Sequence, residues 1–263
     1  MTDAVSRRDM LKVAGLAGAA AVAGQPAAAQ QPAETPASPT GLPANAAPAA
    51  IPQVSATQDV LFFFNDQEAR FVETAVDRLI PADAEWGGAA QAGVLYYIDK
   101  QLASAYGAGA HMYLKGPWNP EATPQHGYQL RFSPAELYRI GIEESRRHCR
   151  QTYNNREFWD LGPAVIDDVL KGLEAGSIDL PSIPSPVFFE TLLANTIEGF
   201  FSDPAYGGNR DMLSWRMIGF PGAYAQYVDL VDLYDLPFTR PPISFGNQAA
   251  RQAHLTAHRN HKE

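Results

Sequence analysis

The side chains with the clearest catalytic or binding potential are concentrated in one stretch of the sequence, residues 198–222. Three carboxylates lie there, at Glu198, Asp203 and Asp211. Paired carboxylates can act as the acid and base of a hydrolytic reaction. Aspartate and glutamate are also common in turns and helix caps, which gives the same residues a structural interpretation. An independent hydrolase is therefore one interpretation, and it predicts turnover by the isolated chain.

Two other groups of residues have chemically suggestive spacing. Cys149, the one cysteine, follows His148, as a thiol nucleophile beside its base would. Adjacent helix residues point about 100° apart, which favours a partly buried helix cysteine. In the tail, His254, His258 and His261 share one helix face and could hold a zinc ion. A solvated helical tail explains the same spacing, so a free-standing periplasmic binding or metal-binding protein is a second alternative.

Cofactor-binding patterns are missing from the sequence. A single cysteine excludes an intramolecular disulfide, a Cys-x-x-Cys-His haem attachment and an iron–sulfur ligand set. Neither a Gly-x-Gly-x-x-Gly loop nor a P-loop is present. The formal net charge of −9 argues against nucleic acid as a partner. We therefore expect no catalytic, cofactor-binding or metal-binding residues in this chain.

The N-terminus has the features of an export signal. Arg7 and Arg8 lie in a short polar segment that matches the twin-arginine pattern. An apolar run follows at residues 13–23, too short to span a bilayer, and small residues at 27–29 suit a signal peptidase. The pattern predicts a twin-arginine signal peptide over residues 1–29 and a periplasmic location. A retained membrane anchor is the alternative.

The twin-arginine route carries proteins that have already folded. A chain uses it when it must bind a cofactor or assemble with a partner before export. Because this sequence contains no cofactor motif, the route predicts the twin-arginine translocase and a second protein as partners.

Helical spacing of apolar residues dominates the part of the chain that follows. The fold class predicted is mainly α, a single compact helical domain with long ordered loops over residues 61–246. Residues 30–60 are a Pro/Ala-rich linker, and residues 247–263 are a polar tail that contains the histidines. The periodicity and the capping residues predict helices near residues 66–80, 90–105, 134–150, 163–175, 186–197 and 214–218, with a last turn or two near 224–231.

Residues 198–222 have an unusual composition for a connection between helices. Five glycines and two prolines interrupt the stretch, so its backbone must turn repeatedly. The residues between these breaks include large aromatics at Phe200, Phe201, Tyr206, Trp215 and Phe220. This combination predicts an ordered, packed loop that presents a surface.

The same stretch resembles the gluconate 2-dehydrogenase subunit 3 family, and the resemblance extends over about residues 62–246. Where family members often have glycine before the tryptophan, this chain has Ser214. The residues that carry the resemblance are Gly199, Phe200, Phe201, Asp203, Pro204, Tyr206, Gly207, Gly208, Asn209, Arg210, Trp215, Met217, Ile218, Gly219, Phe220, Pro221 and Gly222, with the upstream segments 79–83 and 92–99.

The resemblance implies a role for the chain in a larger enzyme. Members of the family are small subunits of membrane-associated, periplasmic sugar or sugar-acid dehydrogenases. A large flavoprotein of the glucose–methanol–choline oxidoreductase kind holds FAD, and a c-type cytochrome subunit with haem c passes electrons to quinone. The small subunit carries no redox centre and is thought to assist maturation and export of the flavoprotein. The resemblance leaves open which sugar, sugar acid or polyol is oxidised.

The loop also contains the residue types that anchor protein interfaces, since Tyr, Trp and Arg are enriched there. The alternative is that Trp215 and Phe220 belong to the core and that Arg210 pairs with Asp203 or Asp211. The residues predicted to contact the flavoprotein are Asp203, Tyr206, Asn209, Arg210, Asp211, Trp215 and Arg216.

Overall fold

A computed structural model of the chain describes residues 60–119, 122–223, 232 and 241–246. Within these ranges the chain forms six α-helices and no strand, apart from one isolated β-bridge between Gly222 and Ile243. The predicted mainly α fold is confirmed. The export signal, nearly all of the linker, the helical turn predicted near residues 224–231 and the histidine tail lie outside the described residues.

The six helices are numbered here in chain order. Four short 3₁₀ turns accompany them, at Pro124–His126, Phe158–Asp160, Pro204–Tyr206 and Arg210–Met212. The helices are α1 at Asp66–Leu79, α2 at Val94–Leu102, α3 at Pro134–Thr152, α4 at Pro163–Glu174, α5 at Ser185–Phe201 and α6 at Leu213–Ile218.

Local sequence signals set the starts of two helices. Asn65 and Glu68 form a capping box at the start of α1, and Ser133 and Glu136 form one at α3. The start of α2 differs from the prediction by four residues. Gly93 takes a left-handed conformation with φ of 74°, which the helix cannot include, so α2 begins at Val94.

Helix α5 lies at the centre of the bundle. It packs against α1, α2, α3, α4 and α6, and its fully buried side chains include Phe188 and Leu192. Phe188 also contacts the ring of Tyr138 edge to face, at 5.9 Å between centroids. Gly141 on α3 permits this approach, because a Cβ there would clash with the ring of Phe188. Helix α5 is apolar on most of its faces because most of its faces are buried against other helices.

A buried carboxylate ties the start of the domain to α2. Asp99 is fully buried and accepts hydrogen bonds from the backbone N–H groups of Phe62, Phe63 and Phe64, at 2.6, 3.0 and 2.8 Å. The three donors come from a segment about 36 residues earlier in the chain. One side chain therefore replaces the secondary-structure partners that this segment, which lies outside any helix, lacks.

An ion pair links α1 to α4. Arg78 donates from Nε and Nη2 to the two carboxylate oxygens of Asp167, at 2.8 and 2.7 Å. The hydrogen bond from Arg78 is the main cause that lowers the pKa of Asp167 below its ordinary value of 3.8. The carboxylate is 34% exposed, so solvent screens the pair and its contribution to stability is modest.

This ion pair predicts a pH-dependent difference between variants. Because the pKa of Asp167 is depressed on folding, its stabilisation is present above pH 3.8 and is lost as the pH falls through the lower folded value. We expect Asp167→Asn to be less stable than wild type by about 0.5 kcal/mol at pH 7, and we expect this difference to shrink as the pH is lowered below 3.8. Urea unfolding across this range, with the exposed neighbour variant Asp168→Asn as control, measures the difference. A gap that is unchanged at low pH contradicts the prediction.

Candidate functional site

The glycine-interrupted loop follows directly from α5 and folds back against the end of that helix. Gly208 packs on the helix so closely that a Cβ there would clash with the carbonyl oxygen of Gly199. Trp215 on α6 donates from its indole nitrogen to the carbonyl of Phe201, at 2.9 Å. The loop is therefore held to the last turn of α5 by a close backbone approach and by a side-chain hydrogen bond.

Asn209 is the centre of the hydrogen bonds that hold the loop together. It is fully buried and left-handed, with φ of 46°. Its amide nitrogen donates to the carbonyl of Ser202 at 2.9 Å, and its amide oxygen accepts from the backbone N–H and hydroxyl of Ser214 at 2.9 and 2.8 Å. Asparagine tolerates this backbone region better than most residues. Ser214 thus contributes a side-chain hydrogen bond to the loop.

Arg210 joins the loop to the start of α2. Its backbone N–H donates to the carbonyl of Ala92 at 3.0 Å, and its guanidinium lies over the ring of Tyr96, 4.6 Å from the centroid. A Cβ at Gly93 would meet the Arg210 side chain, so the left-handed glycine that delays α2 also makes room for this arginine. Asp211, next in the chain, has φ of 55° and is exposed.

Asp203 connects the loop to a later part of the chain, which we call the closing segment, residues 241–246. The carboxylate of Asp203 is buried and accepts from the hydroxyl of Ser244 at 2.5 Å and from the backbone N–H of Phe245 at 3.0 Å. It also accepts from the N–H of Ala205, which caps the 3₁₀ turn Pro204–Tyr206. This carboxylate is therefore enclosed by donors from both segments.

Residues 66–222 match the protein family described as gluconate 2-dehydrogenase subunit 3. The match covers more than half of the 263 residues, including all six helices and the loop. The chain belongs to this family. Neither the curated proteins nor the solved structures contain a match to it. The family description names a subunit of gluconate 2-dehydrogenase, which implies a chain that works within a multi-subunit dehydrogenase complex.

In this subunit the seven predicted contact residues divide by burial. Tyr206, Asp211 and Arg216 are exposed, and Arg210 is partly buried against Tyr96. The other three are buried and make hydrogen bonds within the loop or to the closing segment, so they shape the surface rather than form its outermost part. These are Asp203, Asn209 and Trp215.

The exposed side of the loop contains large apolar residues as well. Ile218 and Phe220 are about half exposed, although Phe220 also contacts Trp215 edge to face at 5.1 Å. Phe245 of the closing segment is exposed beside Tyr206. The sequence pattern does not predict Phe245 as a contact residue, because Phe245 lies beyond the glycine-rich stretch and no local pattern marks it.

The other candidate catalytic and metal-binding residues of the sequence lie in surroundings that differ from one another. Glu198 accepts a hydrogen bond from Asn195 at 3.1 Å, and Asp203 is enclosed as described above. Cys149 is fully buried, and this burial raises the pKa of its thiol to about 12. Over the described ranges, His, Cys, Asp and Glu residues form no group of three that could hold a metal ion. In those ranges, too, every helix is too short or too polar to cross a membrane.

Proposed function

We propose that this protein is the non-catalytic small subunit of a periplasmic, membrane-associated, FAD-dependent dehydrogenase of the gluconate 2-dehydrogenase type. The family match over residues 66–222 carries the proposal. A large flavoprotein subunit supplies FAD and oxidises a sugar or sugar acid, and a c-type cytochrome subunit supplies haem c. This chain binds the flavoprotein and associates with the membrane through the complex.

The proposed contribution of this subunit is to maturation, export and assembly. Arg7 and Arg8 address the chain to the twin-arginine translocase, which moves folded proteins. A flavoprotein without a signal of its own reaches the periplasm by the same route if it is bound to this subunit beforehand. The ordered loop supports the proposal, because it presents exposed aromatic and charged side chains on a backbone held by buried hydrogen bonds.

The contact surface that we propose is built from two kinds of residue. Tyr206, Asp211 and Arg216 are exposed and touch the flavoprotein directly. The buried Asp203, Asn209 and Trp215, with Arg210 against α2, hold the loop in the conformation that the flavoprotein binds. Aromatic side chains have few rotatable bonds and lose little conformational freedom on binding, which favours Tyr206 as a contact residue.

The export role predicts a result for the paired arginines. Replacing Arg7 and Arg8 with lysine is expected to remove both this chain and the flavoprotein from the periplasm, because the translocase recognises the arginine pair. The measurement is cell fractionation with immunoblots for both subunits, after the flavoprotein has been identified by its co-purification with the wild-type chain. Lys12→Arg, outside the pair, is the control and should change neither amount. A flavoprotein that reaches the periplasm at wild-type level with the double variant contradicts the escort role.

A further inference from the structure

The closing segment lies outside the family match but is bonded to both ends of the loop. Ala223 donates from its backbone N–H to the carbonyl of Ile243 at 2.7 Å, and Ile243 donates to the carbonyl of Pro221 at 3.1 Å. A Cβ at Gly222 would clash with the backbone at Ile243, so glycine is required where the two segments meet. The closing segment is therefore fitted to the end of the loop.

At the start of the loop, the attachment is made by a buried carboxylate. Asp203 accepts at one oxygen from the Ser244 hydroxyl and at the other from the N–H of Phe245. Ser244 itself is buried and accepts from the N–H of Gly246 at 3.1 Å. Hydrogen bonds to an ionised acceptor away from water are stronger than neutral ones. The backbone on both sides of Phe245 is thereby fixed relative to the turn that carries Tyr206.

This fixed backbone brings two exposed rings together. Tyr206 and Phe245 contact edge to face, with 5.6 Å between centroids, and they are 50% and 42% exposed. The edge-to-face geometry gives the pair a defined shape. Leaving both rings half in water is unfavourable for the isolated chain, whereas aromatic anchors held rigidly from behind are typical of the centre of protein interfaces.

We infer that Tyr206 and Phe245 form one aromatic anchor that enters an apolar pocket on the flavin-carrying subunit, with Asp203 and Ser244 as its positioning residues. The inference rests on the proposed function and adds a segment beyond the family match to the binding surface. The flavoprotein is the occupant because Tyr206, one ring of the anchor, is among the exposed loop residues that we assign to it.

The test measures the affinity between the full-length chain and the flavin-carrying subunit. The probe is the flavoprotein that co-purifies with tagged wild-type chain, then dissociated and titrated back, with flavin absorbance as the readout. Phe245→Ala and Tyr206→Ala are each expected to raise Kd about tenfold or more, because each removes half of the anchor. Ser244→Ala should raise Kd by a smaller factor, and Ser244→Thr, which keeps the hydroxyl, should restore binding.

Matched controls separate this inference from the proposed function. Phe62→Ala removes an exposed phenylalanine elsewhere, and Tyr113→Ala an exposed tyrosine; neither should change Kd. Thermal unfolding of Phe245→Ala should match wild type, because the ring is half exposed. If wild-type chain retains no flavoprotein, the proposed function is wrong. If the wild-type chain retains the flavoprotein but Phe245→Ala binds it equally well, the aromatic anchor is wrong. The anchor is also wrong if the two control variants weaken binding as much as Phe245→Ala does.

Discussion

Replacing Asp99 with alanine is expected to lower the free energy of unfolding by about 3–5 kcal/mol. The substitution removes a fully buried carboxylate and leaves the backbone N–H groups of Phe62, Phe63 and Phe64 without their acceptor. Each buried donor without a partner costs about 1–3 kcal/mol, and water that enters the new space recovers part of this cost. The first residues of the domain should then separate from α2.

Chemical denaturation measures the loss of stability, and hydrogen exchange measures the separation of the first residues of the domain from α2. Exchange at the three amides should accelerate more than exchange in the middle of α5, because the loss of the acceptor acts first on the N-terminal segment. Asp99→Asn keeps one acceptor oxygen and should be less severe. Glu73→Ala, which removes an exposed carboxylate on α1, is the control and should stay within about 0.5 kcal/mol of wild type. A loss below 1 kcal/mol for Asp99→Ala would show that the carboxylate does not anchor the segment.

The second large effect is expected at Asn209, where alanine should destabilise the loop by about 3 kcal/mol and also weaken flavoprotein binding. Alanine removes the hydrogen bonds to Ser202 and Ser214, and it also occupies a left-handed conformation that costs alanine about 1 kcal/mol. Since Asn209 is buried, any effect on binding must pass through the conformation of the loop.

Arg216→Glu provides the comparison that distinguishes conformation from contact. Arg216 is exposed on α6, so its reversal should leave unfolding nearly unchanged while it lowers retention of the flavoprotein. Asn209→Ala should lower both retention and the unfolding temperature. Binding at wild-type strength by a destabilised Asn209→Ala chain would show that the flavoprotein does not use this loop.

Local sequence signals were sufficient to predict the six helices and the mainly α fold class. The capping boxes at Asn65 and Ser133, and Pro163 at the start of α4, act within one turn of the chain. Apolar residues at helical spacing then predict which face is buried without any knowledge of its neighbour. The family resemblance was also available from the sequence, because the glycine and aromatic pattern of the loop is continuous along the chain, and the family match confirms it.

The start of α2 shows where local signals are no longer sufficient to predict a helix boundary. Ala90, Gln91 and Ala92 are good helix formers, yet Gly93 turns left-handed and the side chain of Arg210 occupies the space beside it. That contact joins residues more than a hundred positions apart. A pattern confined to neighbouring residues contains no information about it.

The helical domain, its family and the glycine-interrupted loop could all be predicted from the sequence. The folded chain was needed to show which residues of that loop face water, and it added Phe245 to them through hydrogen bonds between Asp203 and a segment about 41 residues later. Tyrosine, tryptophan and arginine serve a buried core and an exposed interface equally well. Whether such a residue is buried depends on which distant segments pack together. That packing is stabilised by contacts between helices and loops rather than by contacts within them.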